Sequence, residues 1–146
     1  MQNKDCVNIT FPSFSENETL ARSFAAAYAA RFDPTLRELD DIKTAVSEAV
    51  TNAVVHAYPT EPGQVMMTFS RQGQTLTIDI ADKGIGIADV AAARVPMATS
   101  KPGTERAGLG FTVMEAFMDD LVVESEPGCG TCVRMTKTIG KTRGAE

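Results

Sequence analysis

Apolar and polar positions alternate at Val7, Ile9 and Phe11, the period of a strand with one buried face. Pro12 suits the end of such a strand or an edge position. Ser15-Glu16-Asn17-Glu18 then matches a capping box, with Ser15 as N-cap. It predicts a helix to about Arg31, carried by Leu20, Phe24, Ala27 and Tyr28. Asp33-Pro34-Thr35 marks the next start. Either Asp33 caps with Pro34 at the first helical position, or Thr35 and Glu38 form a second capping box. Leu36, Leu39, Ile42, Val46, Ala49, Val50, Ala53 and Val54 fall in one arc at the helical period, so this helix should reach about Tyr58.

Pro59 to Gly63 reads as a loop. Alternation resumes through Val65, Met67 and Phe69, turns at Gln72-Gly73, and continues through Leu76, Ile78 and Ile80, a hairpin. A short helix is expected over Ala88 to Arg94. Val95 to Ala107 carries Pro96, Pro102 and Gly103 without any period, which makes it a lid candidate. Gly108-Leu109-Gly110 should open a helix through Phe111, Val113, Met114 and Phe117. A second hairpin is expected from Leu121 to Glu126 and Thr131 to Ile139, turning at Pro127-Gly128. Strands that pair as hairpins, with the helices between them, predict an α+β fold. It is a two-layer sandwich with a mixed, mostly antiparallel sheet and helices on one face. Residues 1–139 form a single domain, and 140–146 are expected to be a disordered tail.

Composition narrows the function. With 14 basic and 19 acidic residues the net charge is −5, which argues against a nucleic-acid partner and permits a partner with basic patches. No apolar run approaches a membrane span, and the N-terminus has no signal core, so a cytoplasmic protein is expected. Cys129 and Cys132 form a C-x-x-C, but the pair lies in a turn entering a strand rather than before a helix. Only Cys6 and His56 could complete a zinc site, so the spacing reads as incidental or structural.

Candidate chemistry gathers at three places. Asp82-Lys83-Gly84-Ile85-Gly86 puts a carboxylate at a strand end before two glycines, suited to accept from an exocyclic amine such as that of adenine. The same pattern is also a common loop signature. Glu48 and Asn52 share a helix face pointing away from the apolar arc, which is equally the pattern of solvent exposure. Asn52 offers a hard oxygen for Mg²⁺, and Glu48 could take a proton from an attacking hydroxyl or water. Gly108-Leu109-Gly110 at a helix start suits an anion, or a hinge.

In this order the elements resemble the nucleotide-binding domain shared by gyrase, the Hsp90 chaperone, histidine kinases and MutL, a Bergerat-type ATP-binding fold. Glu48-Ala49-Val50-Thr51-Asn52-Ala53 is similar to its N-box. Asp82 to Gly86 is similar to its adenine box, Gly108 to Gly110 to its second glycine box, and Gly130-Thr131 to a late strand position. Several further runs resemble the sporulation anti-sigma-F factors, which are serine-protein kinases. They are Ser15 to Glu18, Ala21-Arg22, Ser47 to Ala53, Thr99-Ser100-Lys101-Pro102, Glu105-Arg106 and Gly110 to Glu115.

The resemblance implies a homodimer that holds a sigma factor in its ATP form and phosphorylates a serine of an anti-anti-sigma factor. Glu48 is then the base, Asn52 the Mg²⁺ ligand, and Asp82 the adenine contact, with Thr131 supporting it. Gly84, Gly86, Gly108, Leu109 and Gly110 wrap the phosphates of ATP or ADP. Thr99 and Lys101 belong to the lid, and Arg22 and Arg106 meet the protein partners. Two rival readings remain. One is an ATP-gated module that sequesters sigma without kinase activity, and the other is a related anti-sigma kinase of a stress-response system. A histidine-kinase fragment or a gyrase-like ATPase is less expected, because neither a dimerisation helix nor further domains accompany this stretch.

Overall fold

The computed structural model describes residues 5–94 and 102–140, and for 102–109 the backbone alone. Strand β1 (Cys6–Pro12) leads to helices α1 (Asn17–Ala30) and α2 (Leu36–Asn52). Helix α2 runs directly into one π turn, Ala53–Ala57. The hairpin β2 (Gln64–Gln72) and β3 (Thr75–Asp82) follows, then α3 (Val90–Arg94), α4 (Pro102–Phe117) and the hairpin β4 (Asp120–Glu126) and β5 (Gly130–Thr138).

The strands form one five-stranded sheet in the order β1-β2-β3-β5-β4. Every pairing is antiparallel. Val65, Met67 and Phe69 of β2, Leu76, Ile78 and Ile80 of β3, and Val133 and Met135 of β5 are buried on one face. Against them pack Ile42, Ala45, Val46, Ala49 and Val50 of α2, with Phe111 and Met114 of α4. Thr68, Asp79 and Arg134 alternate with these positions on the other face, where Arg134 Nε donates to Asp79 Oδ1 at 2.7 Å. The predicted two-layer α+β sandwich is therefore the observed one, and the sheet is wholly antiparallel.

Helix α2 begins as a capping box. Glu38 N donates to Thr35 Oγ1 at 3.0 Å, and Thr35 N donates to Glu38 Oε1 at 2.9 Å. Of the two starts offered by the sequence this is the one used, while Asp33 takes a left-handed turn at φ 56°. Glu38 is buried, and its second oxygen accepts from Gly140 N at 2.8 Å, tying the end of β5 to the start of α2.

Three local expectations are corrected. Ser15 forms no capping box, because the Glu18 carboxylate is engaged elsewhere and accepts from Thr51 Oγ1 of α2 at 2.8 Å. Leu20 and Phe24 are exposed, and the buried face of α1 is Ala21, Ala25, Tyr28 and Ala29, the alanines letting α1 approach α2 closely. Helix α4 starts at Pro102 rather than at Gly108. Proline fits a first helical position because the missing N–H would have had no helical partner there. Part of the expected irregular lid is thus helical, and residues 95–101, with Thr99 and Lys101, lie outside the described residues. So does the tail over 141–146.

Candidate functional site

A cavity of about 290 Å³ opens between α2, its π turn, and the inner face of β3 and β5. Its walls are mainly apolar, from Ala49, Ala53, Ile80, Ala93, Phe111 and Val133. The polar groups are few: Asn52, His56, Asp82 and Thr131. Small-ligand sites have this balance, an apolar slot with a few fixed polar atoms, and this one lies at the small end of their size range.

Asp82 closes β3 on its inward-facing register, opposite Thr131 of β5. Its Oδ1 accepts from Gly84 N at 2.9 Å and from Thr131 N at 3.2 Å. Both bonds fall on one oxygen, which leaves Oδ2 open among the described residues. Burial pushes the carboxyl above its ordinary value, opposed by the two backbone bonds.

The glycines around Asp82 permit close backbone packing. A Cβ on Gly84 would lie 2.1 Å from the Ala57 carbonyl oxygen, and Ile85 N donates to that same oxygen at 2.9 Å. Gly86 has φ +78°, and a Cβ there would lie 2.2 Å from the Glu126 carbonyl oxygen. These glycines seat the loop on the π turn and on the β4–β5 hairpin, and Gly86 also lines the cavity. Tyr58 adds a strap: its hydroxyl donates to Gln64 O and accepts from Lys83 N, each at 2.7 Å.

Glu48 and Asn52 are half-buried. The face they share is covered by α4. A Cβ on Gly110 would lie 3.3 Å from both Glu48 Oε1 and Asn52 Nδ2, so the two side chains converge on one point. Asn52 Nδ2 is buried with no hydrogen-bond partner among the described residues. An unpaired buried amide costs ~1–3 kcal/mol, which a ligand or metal seated at that point would offset. Half a turn of the amide presents its oxygen there instead, so the donor set fits a magnesium–phosphate group. Placing Asn52 where α2 widens into a π turn matches the usual location of such turns at functional sites.

Glu48 also lines a second, polar groove of about 710 Å³ between α1 and α2. Arg22 lines it, with Nη1 3.5 Å from Ser47 Oγ. The structure therefore brings together two sets of predicted residues: Asp82, Gly86 and Thr131 line the cavity with Asn52, and Glu48 and Gly110 meet Asn52 beside it. Arg106, Gly108 and Leu109 lie on α4 by their backbone path. Sequence reasoning missed Ser125, which bonds Ile87 and Thr131. Its in-phase position with Leu121 and Val123 on β4 was the available signal.

Cys129 is exposed, and burial pushes the Cys132 thiol up, opposite to the shift of a reactive redox thiol. Among the described residues no cluster of His, Cys, Asp or Glu could hold a metal ion, and no helix is long and apolar enough to cross a membrane.

Residues 11–137 match the family model for the histidine kinase-like ATPase domain. An anti-sigma F factor of Caldanaerobacter subterraneus subsp. tengcongensis is 50% identical over 143 residues, covering 98% of this chain and 100% of that protein. One from Bacillus licheniformis is 45% identical, covering 96% and 97%. Among solved structures, a histidine kinase domain from the blue-light activated histidine kinase of Erythrobacter litoralis superimposes with a TM-score of 0.58 at 18% identity. The match covers 85% of this chain and 63% of that one, a likeness of fold alone. Cavity, cross-strand carboxylate and matched sequence agree: the chain belongs to the histidine kinase-like ATPase domain family and, within it, to the anti-sigma F factors.

Proposed function

We propose that this chain is an ATP-dependent anti-sigma factor that captures a sigma factor and phosphorylates a serine on an anti-anti-sigma protein. The observation that carries the reading is the position of Glu48, whose side chain converges with Asn52 beside the cavity and also lines the polar groove between α1 and α2. A nucleotide in the cavity and a protein hydroxyl in the groove would then meet across Glu48.

The adenine end is served by Asp82 and Thr131. Their register pairing, fixed by the sheet, supports a rigid reader for the ring. Glu48 accepts the serine proton as the hydroxyl oxygen attacks the γ-phosphorus of ATP and the bond from that phosphorus to the ADP oxygen breaks, and Asn52 would hold Mg²⁺. The metal, when bound, neutralises phosphate charge. Phosphoryl transfer depends mainly on such positioning and charge neutralisation, so a single carboxylate and a few fixed donors suffice. Gly108, Leu109 and Gly110 would border the phosphates, Gly84 and Gly86 seat the adenine-contacting loop, and Thr99 and Lys101, outside the described residues, are proposed as lid contacts to the nucleotide. Arg22 and Arg106 contact the protein partners. Arg22 lines the same groove as Glu48.

The protein works as a cytoplasmic homodimer in this reading. The free edge of β1 supports pairing, since Cys6 to Pro12 carries no charged residue to guard it. Leu20 and Phe24 stay exposed on α1, which Tyr28 joins to the residue preceding β1 through a 2.7 Å bond to Asp5 O.

The test is incubation with labelled ATP, Mg²⁺ and a candidate anti-anti-sigma protein, read as phosphoserine, beside a sigma-capture assay with and without ATP. Phosphoserine and ATP-dependent capture are expected. Capture without transfer would instead identify a sequestering module.

A further inference from the structure

Ser125, Thr131 and Asp82 stand side by side on β4, β5 and β3. Ser125 pairs with Thr131, and Thr131 pairs with Asp82, so the three side chains form one row on the inner face of the sheet. Ser125 Oγ makes three polar contacts. Ile87 N donates to it at 2.7 Å, Gly130 O lies at 3.0 Å, and Thr131 Oγ1 lies at 2.7 Å.

A hydroxyl has one proton to give, and a carbonyl can only accept. One assignment satisfies all three contacts. Ser125 donates to Gly130 O, and Thr131 donates to Ser125 Oγ. The proton of Thr131 is then committed away from the cavity, and its oxygen presents only lone pairs there. Beside it, Asp82 Oδ2 is also an acceptor. The end wall of the cavity is thus a pair of acceptors: turned to the 6-substituent, it is complementary to the two protons of a 6-amino group and opposed to a 6-oxo group, which has none.

We infer that Ser125 is a positioning residue for nucleotide selectivity: it fixes the Thr131 hydroxyl as an acceptor, so that the site takes a 6-aminopurine triphosphate and rejects a 6-oxopurine one. It acts through Thr131, and through the clamp on Ile87 it holds the Asp82 loop against the β4–β5 hairpin. The inference rests on the proposed nucleotide reading of the cavity.

The experiment compares the dissociation constants of ATP and inosine triphosphate for the wild type, Ser125→Ala, Ser125→Thr, Thr131→Val and the double variant Ser125→Ala/Thr131→Val. Removing the serine frees the Thr131 proton to turn toward a 6-oxo group. One hydrogen bond gained or lost is worth a ~3- to 10-fold change. Ser125→Ala should lower the preference for ATP over inosine triphosphate by that factor, while Ser125→Thr keeps the wild-type preference. In the Thr131→Val background the serine change should leave the preference untouched, since the two residues act as one unit. Equal weakening of both nucleotides by Ser125→Ala would make the serine merely structural and overturn the inference. The same effect of Ser125→Ala with and without Thr131 would also overturn it. A wild-type chain that binds neither nucleotide would overturn the nucleotide reading itself.

Discussion

Asp82→Asn separates binding from stability. In the wild type, Oδ1 serves Gly84 N and Thr131 N, and Oδ2 is left open. Asparagine keeps an acceptor for the two backbone donors and replaces Oδ2 by an NH₂ group. Against an exocyclic amine this sets donor against donor. The lost charge-assisted bond is worth ~1.5–3 kcal/mol, and the amine left unpaired costs ~1–3 kcal/mol more. At 1.4 kcal/mol per tenfold, ATP affinity should fall at least ~60-fold.

Stability should move the other way, or not at all. Burial raises the folded-state pKa of Asp82 above the ordinary 3.8, so the fold favours the protonated form. As pH rises from 3.8 through the folded-state value, the folded protein holds a proton that the unfolded chain has released, and stability falls. The loss persists at neutral pH, and the amide does not suffer it. Calorimetric titration with ATP, and urea unfolding of the nucleotide-free protein at pH 7, read the two quantities independently. An affinity within threefold of wild type would refute the adenine role of Asp82. So would an unfolding midpoint depressed enough to explain the binding loss.

Glu48→Gln should retain ATP affinity within about twofold and lower phosphotransfer by ~10²–10⁴, the usual worth of a general base, as counted in a phosphoserine assay. Thr35→Ala removes the capping box of α2 and should cost ~1 kcal/mol in denaturant unfolding, with ATP affinity unchanged. Gly84→Ala drives a methyl into the Ala57 carbonyl, which cannot rotate away, and should cost ~1–3 kcal/mol in stability along with nucleotide binding. Equal thermal midpoints for this variant and the wild type would contradict that packing.

Much of the fold was legible because periodicity is local. Val65-x-Met67-x-Phe69 and Leu76-x-Ile78-x-Ile80 declare two half-buried strands within a few residues each, and Gly73 at φ +62° closes the hairpin between them. Thr35 and Glu38 declare the start of α2 in the same local way. Asp82 was legible as a carboxylate at a strand end. What remained hidden depends on which elements meet. Glu18 looked like the second half of a capping box, but Thr51 on another helix claims its carboxylate. Glu48 and Asn52 looked equally like a solvated face until α4 laid Gly110 against them. Pro102 and Gly103 read as helix breakers although proline is harmless at a helix start.

The sequence by itself determined the elements, their inward faces and the residue types able to bind a nucleotide, since each is set by spacing along a few turns or a few strand residues. Tertiary structure alone decided the register that lines up Ser125, Thr131 and Asp82, and the approach that brings Glu48 and Asn52 to one point. Cross-strand and cross-helix distances follow from how the whole core closes, and no local window of residues contains them.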